Sequence, residues 1–194
     1  MECSLPWGRL YLTGEPGVGK STIFSKVVAE LRSLGCSVGG FSAPEVRVGG
    51  SRVGFRIVDL ATGEEGWLAR AGAPGRVRVG RYAVVEEDAV RVGVRALERA
   101  LRECQVVAVD EIGPMELLVE ELRRALEKAV ESGRLYVAVV HRRLRETHPS
   151  IYEALVARAP IIRVTLENRG TLASCAPAYA KAIASRACYQ SPLT

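Results

Sequence analysis

The sequence predicts an α/β fold with a mostly parallel central sheet, flanking helices and an inserted antiparallel β-hairpin. Three observations predict it. A short strand-forming run at 9–13, a glycine-rich turn at 14–21 and an amphipathic run at 22–31 follow one another directly. Two uniformly apolar runs, at 106–109 and 135–140, are too continuous for a sheet with one wet face and read as strands covered on both sides. Gly49-Gly50 stands between alternating arms at 46–48 and 51–53, which is the pattern of a two-residue hairpin turn. At 194 residues, the chain suits a single domain, 1–194, around one core.

The glycine turn is the most informative stretch. Gly14-Glu15-Pro16-Gly17-Val18-Gly19-Lys20-Ser21 meets the phosphate-binding pattern G-x-x-x-x-G-K-[ST] at every specified position, and Thr22 opens the helix behind it. Its glycines allow close approach of backbone N–H groups to an anion. The positive end of the following helix favours the same charge. Lys20 is the candidate contact to the β and γ phosphates, and Ser21 the candidate hydroxyl ligand of Mg²⁺. The stretch 14–22 is therefore expected to bind a nucleotide.

Downstream, Gly35 is a helix stop and 37–43 a second strand, weakened by glycine and ended by Pro44. The hairpin follows and runs on through 55–60, turns at 62–65 and returns at 66–70. A loop at 71–75 leads to a strand and turn across 77–85. From 86 to 103 the apolar spacing is helical, with Glu86, Glu87 and Asp88 in the first turn where the helix dipole favours them. The buried strand 106–109 ends in Asp110 and Glu111, the Walker B arrangement. There the first carboxylate is expected to hold Mg²⁺ and the second to orient or deprotonate water.

A helix is then expected up to about 132, stopped by Gly133, with Leu118, Leu122, Ala125, Leu126 and Ala129 as its core stripe. The strand 135–140 ends in His141-Arg142-Arg143-Leu144-Arg145. Ligand groups gather at the carboxyl ends of strands in open parallel sheets, so this basic cluster belongs on the nucleotide side. Arg142, Arg143 or Arg145 is a candidate to stabilise charge on a transferring phosphoryl group, with Arg142 the catalytic choice. A solvated basic loop is the competing reading, and His141, at the strand's end, is open between a functional and a structural role.

Pro149 opens a helix at 150–158, and 161–164 is the last strand. Asn168 and Arg169 either edge a base pocket or cap the next helix. An alanine-rich helix near Pro177 precedes a frayed tail beyond residue 188.

Composition narrows the function classes. A hydrophobic content of 48% with 25% charged residues suits a globular protein, and no apolar run approaches a membrane span. The first residues lack the basic and apolar regions of a secretory signal, so a cytoplasmic protein is expected. The net charge of +5 fits a polyanionic partner. A nucleotide satisfies that, and nucleic acid is not required to account for it. The five cysteines are widely spaced with no C-x-x-C pair, which predicts neither a disulfide framework nor a zinc site.

These residues together resemble the P-loop nucleoside-triphosphatase family of thermophilic bacteria and archaea, relatives of the human cancer-related nucleoside-triphosphatase. The resemblance rests on 14–22, on Gly40-Phe41 with 45–47 and 50–55, on Val79-Gly80-Arg81-Tyr82, on Asp110-Glu111-Ile112-Gly113-Pro114-Met115-Glu116-Leu117, on His141-Arg142 and on Glu167-Asn168-Arg169. It implies a RecA-like fold and Mg²⁺-dependent hydrolysis of ATP, GTP and other nucleoside triphosphates to diphosphate and phosphate.

Two alternatives remain at this level. A nucleotide or small-molecule kinase would use the same loop, though no acceptor pocket is identifiable. A nucleotide-controlled RNA- or protein-binding module would use the charge, though aromatic residues make up only 6% of the chain and are scattered.

Overall fold

The computed structural model describes residues 3–188, so the tail expected beyond 188 lies outside the described residues. The chain opens with β1 (Leu10–Gly14) and α1 (Lys20–Ser33), matching the strand and helix expected around the glycine turn. Gly35 adopts φ 82°, and the Cys36 and Gly35 amides donate to Leu31 O at 3.1 Å and Arg32 O at 3.0 Å. These two bonds close the helix as the glycine stop required.

Next come β2 (Val38–Ser42), β3 (Glu45–Val48), β4 (Ser51–Asp59), β5 (Glu65–Ala71), β6 (Arg78–Val79) and β7 (Tyr82–Val84). The β3–β4 turn has Gly49 at φ 56° and Gly50 at φ 78°, the left-handed pair that a tight hairpin needs. The region 86–103 is helical as expected but not uniform: α2 (Glu86–Asp88) and α3 (Arg95–Glu103) flank a wider π-type stretch over Ala89–Val94. Within it, a Cβ on Gly93 would meet Ile57 Cδ1 at 2.6 Å and Leu122 Cδ1 at 3.1 Å, so the chain passes its neighbours at a distance only glycine permits.

After β8 (Val106–Ile112), the single helix expected up to 132 divides into α4 (Pro114–Leu117) and α5 (Glu120–Glu131). Val119 is extended between them, at φ −88° and ψ 112°. Leu118, expected in the core stripe, is 50% exposed as a result, while Val119 takes the buried place. The chain finishes with β9 (Leu135–Val140), α6 (Leu144–Thr147), α7 (Pro149–Val156), β10 (Ile161–Val164), α8 (Arg169–Ser174) and α9 (Ala176–Ala187).

The ten strands of the described residues join one sheet in the order β10-β1-β9-β8-β2-β4-β5-β7-β6, with β3 paired to β4. From β10 to β2 every pairing is parallel, and from β2 outward every pairing is antiparallel. One strand, β9, therefore stands between the glycine-loop strand and the acidic strand. Alternate residues supply two cores. On one face Leu10, Leu12, Val106, Ala108, Val137 and Val139 pack with α1 and α9. On the other, Val107, Val109 and Val140 pack with α3, α5 and α7.

The cysteines correct the sequence reading. Cys3 is bonded to Cys175 and Cys36 to Cys188, with Cα separations of 5.3 and 5.8 Å, and Cys104 alone is a free, buried thiol. Spacing gave no hint of this, because each bond joins residues more than 150 positions apart. Only the fold brings the chain's two ends alongside α1 and α8.

Candidate active site

The glycine loop is shaped by positions that no other residue fills easily. Gly14 has φ 147°, and a Cβ there would sit 2.5 Å from Val164 O on β10. Gly19, at φ 110°, caps α1 without any side-chain hydrogen bond to the first turn. The opening amides of α1 are thus free of a competing side chain and point where an anion is favoured. Lys20 is 8% exposed, and its Nζ donates to Gly14 O at 2.9 Å and Glu15 O at 3.0 Å. Phosphate oxygens entering the loop would compete for those same protons.

The acidic pair faces this loop. Residues 106, 108 and 110 of β8 share a face, so Asp110 projects on the α1 side of the sheet, where the Ser21 hydroxyl is near enough to favour its charged form. Asp110 is 8% exposed, and burial pushes its pKa up to about 6 against the pull of Ser21 and Lys20. Glu111 is likewise raised by burial, to about 7, with Lys20 lowering it and Asp110 raising it. The peptide bond between the two is cis. The juxtaposition expected from sequence, a loop ammonium beside two strand-end carboxylates, is present.

The sequence assigns no separate role to a third acid, Glu116, within the run Asp110 to Leu117. It is 5% exposed in α4, and its carboxylate and that of Glu111 flank Gly113, at 3.2 and 3.1 Å from where a Cβ would be. Burial, then the charge of Glu111, pushes its pKa to about 8. The signal available in sequence was a lone acid in the apolar turn Met115-Glu116-Leu117, directly after the acidic strand end.

The basic cluster divides its roles. Arg142 reaches Glu15 of the glycine loop at 3.3 Å, Arg143 pairs with Glu146 at 3.0 Å, and Arg145 lies 6.0 Å from the centre of the Tyr152 ring. Arg142 is the arginine directed at the loop. Its pair with Glu15 is exposed on both sides, the kind worth little and readily exchanged for a stronger anion. Asn168 accepts the Thr165 amide at 2.8 Å and donates to Arg163 O at 2.9 Å. Its amide thus braces the turn before α8, and although Asn168 stands at the N-cap position its side chain makes no hydrogen bond into the helix. Arg169 leans on the loop instead, with its Cδ 3.8 Å from where a Cβ on Gly19 would be.

A sequence profile of the family described as NTPase matches residues 9–175, which carries the loop, the acidic strand and the basic cluster. The chain belongs to that NTPase family. Among its relatives, the nucleoside-triphosphatase THEP1 of Thermofilum pendens is 45% identical over 176 residues, covering 90% of this chain and 94% of that protein. The protein of the same name from Ignicoccus hospitalis is 50% identical over 160 residues, covering 82% and 89%.

Solved structures of the family agree with the fold. The crystal structure of THEP1 from Aquifex aeolicus superposes with a TM-score of 0.73 at 31% identity, covering 86% of this chain and 95% of that one. The solution structure of a human cancer-related nucleoside triphosphatase gives 0.71 at 29% identity, covering 92% and 98%. The resemblance stated from sequence motifs is therefore borne out, as is the α/β fold with its parallel core. No helix among the described residues is long and apolar enough to cross a membrane.

Proposed function

We propose that the protein hydrolyses nucleoside 5′-triphosphates, ATP and GTP among them, to the diphosphate and inorganic phosphate. The observation that carries this reading is the meeting of Lys20, Ser21, Asp110 and Glu111 at the carboxyl ends of β1 and β8. The names borne by the relatives support it.

In this reading, the loop amides of residues 14–22 and the Lys20 ammonium bind the β and γ phosphates. Ser21 and Asp110 would hold Mg²⁺. A hydroxyl close enough to lower the pKa of a buried carboxylate fits, together with that carboxylate, an ion that takes few protein ligands and fills its shell with phosphate oxygens and water. No cluster of three or more metal-ligating His, Cys, Asp or Glu side chains occurs among the described residues, in keeping with a metal held largely by its substrate. When bound, Mg²⁺ offsets negative charge on the phosphate oxygens.

Glu111 orients a water and takes its proton as the water oxygen attacks the terminal phosphorus in line. The bond from that phosphorus to the bridging oxygen breaks, and the diphosphate leaves. Arg142 exchanges Glu15 for the charge developing on the phosphoryl group.

Phosphate release from Mg·ATP without any added acceptor tests the reaction, and Glu111→Gln tests the assignment. The variant is expected to bind nucleotide as the parent does while turnover falls by about 10²-fold or more. Hydrolysis at the parental rate would remove Glu111 from the role. Release that depends on an added nucleoside or other hydroxyl acceptor would make the protein a kinase instead.

A further inference from the structure

His141 occupies the one strand end that lies between the loop and the acids. Leu12 of β1 and Asp110 of β8 both stand opposite Val139 of β9, so His141, two residues further on, is level with Gly14 where the glycine loop begins. Its amide extends the ladder by donating to Ile112 O at 3.0 Å. Val137 and Val139 pack on the α1 face of the sheet, and alternation puts the His141 side chain on that same face, with Asp110 and Lys20. Burial, and then the charges of Arg142, Lys20 and Arg143, pushes its pKa below the ordinary value, so the ring is neutral at neutral pH.

The tautomer follows from one hydrogen bond. The Arg143 amide donates to His141 Nδ1 at 3.4 Å, which makes Nδ1 the acceptor and leaves the proton on Nε2. Nε2–H makes no hydrogen bond to another described residue. A neutral donor suits this place. Lys20, Arg142 and Arg143 already supply positive charge around the ring, and a neutral N–H adds a directed donor for a phosphate oxygen.

We propose that His141 donates its Nε2–H to a terminal-phosphate oxygen of the bound nucleoside triphosphate, and so reads triphosphate against diphosphate. The inference rests on the hydrolytic reading above. The loop and Lys20 grip the polyphosphate from the β1 side, while Glu111 presents water from the β8 side. The terminal phosphate spans the gap between them, and that gap is capped by the end of β9.

Calorimetry on the full chain tests it, with Mg·ADP and with a Mg-bound β,γ-imido analogue of ATP, using the parent, His141→Ala and His141→Gln. His141→Ala is expected to bind the triphosphate analogue about tenfold more weakly, the loss of one hydrogen bond to a charged acceptor, while ADP affinity stays within about twofold. His141→Gln, whose amide restores a donor, is expected to recover part of the loss, and both variants should melt where the parent does. Equal weakening for both nucleotides, or no change for either, overturns the inference and leaves the hydrolytic reading standing. A parent protein that binds neither nucleotide overturns both.

Discussion

Glu116 occupies a place where a carboxylate is costly. The amides of Glu116 and Gly113 at the start of α4 favour its charged form, but less than burial and Glu111 oppose it. The fold then buries it beside Glu111 and Asp110, which pushes its pKa from 4.5 to about 8. The folded protein keeps a proton that the unfolded chain releases near its ordinary value, so the native state binds more protons across that window. Stability should therefore fall as pH rises from about 4.5 to 8. Glu111, raised to about 7, and Asp110, raised to about 6, act in the same direction. His141, whose pKa is lowered, opposes them in the lower part of the range. The sum is on the order of a few kcal/mol. In metal- and nucleotide-free protein the melting temperature is expected to drop by several degrees between pH 5 and 8.5, and Glu116→Gln to flatten much of the slope. A parent protein whose melting temperature is level over that interval would contradict the burial of these acids.

At the level of elements, the glycines of β2 and of the hairpin separate two costs that sequence alone does not distinguish. Gly40 in β2 has φ 108°, and a Cβ there would lie 2.0 Å from Ala108 O, a backbone atom of the acidic strand. Gly50 has φ 78° with nothing within 4 Å of the same position. Gly50→Ala therefore meets only the left-handed penalty, about 1–2 kcal/mol. Gly40→Ala must also move β8, which raises the loss to roughly 2–5 kcal/mol. Urea unfolding of the two variants checks the order, and equal losses would mean that β2 and β8 are not so closely apposed. The hairpin was legible because Gly-Gly between alternating arms has few other uses. The α4–α5 break was not: Met115, Leu118, Leu122 and Ala125 keep a helical rhythm straight through it, and nothing local shows that Val119, rather than Leu118, is the residue the core receives. The π stretch around Gly93 is equally silent in sequence, since it answers to Ile57 and Leu122, contacts that exist only after folding.

Over the whole molecule, the same division holds between local and distant causes. The nucleotide loop and the Asp110-Glu111 strand end were readable because their chemistry demands fixed residue types at fixed spacing, whereas the cysteine pairing depends on where the fold carries the two chain ends. Cys3–Cys175 ties the segment before β1 to the junction of α8 and α9, and Cys36–Cys188 ties the end of α9 to the loop after α1. These bonds close separations of 172 and 152 residues, nearly the whole chain. Loops that long restrict the unfolded ensemble strongly, and the chain-entropy account assigns about 5 kcal/mol to the first of them. The second adds less, because one closed loop already brings its ends closer together. Thiol titration of unreduced protein in denaturant is expected to find one reactive group, Cys104, against five after reduction. Reduction, or Cys36→Ser with Cys175→Ser, should lower the melting temperature by ten degrees or more, about what a loss near 5 kcal/mol implies for a domain of this size. Nucleotide binding well below the new transition should persist, because neither bond touches the loop, β8 or β9. Five reactive thiols in the unreduced, denatured protein would show that the chain ends are held by packing alone, and melting would then be indifferent to reductant.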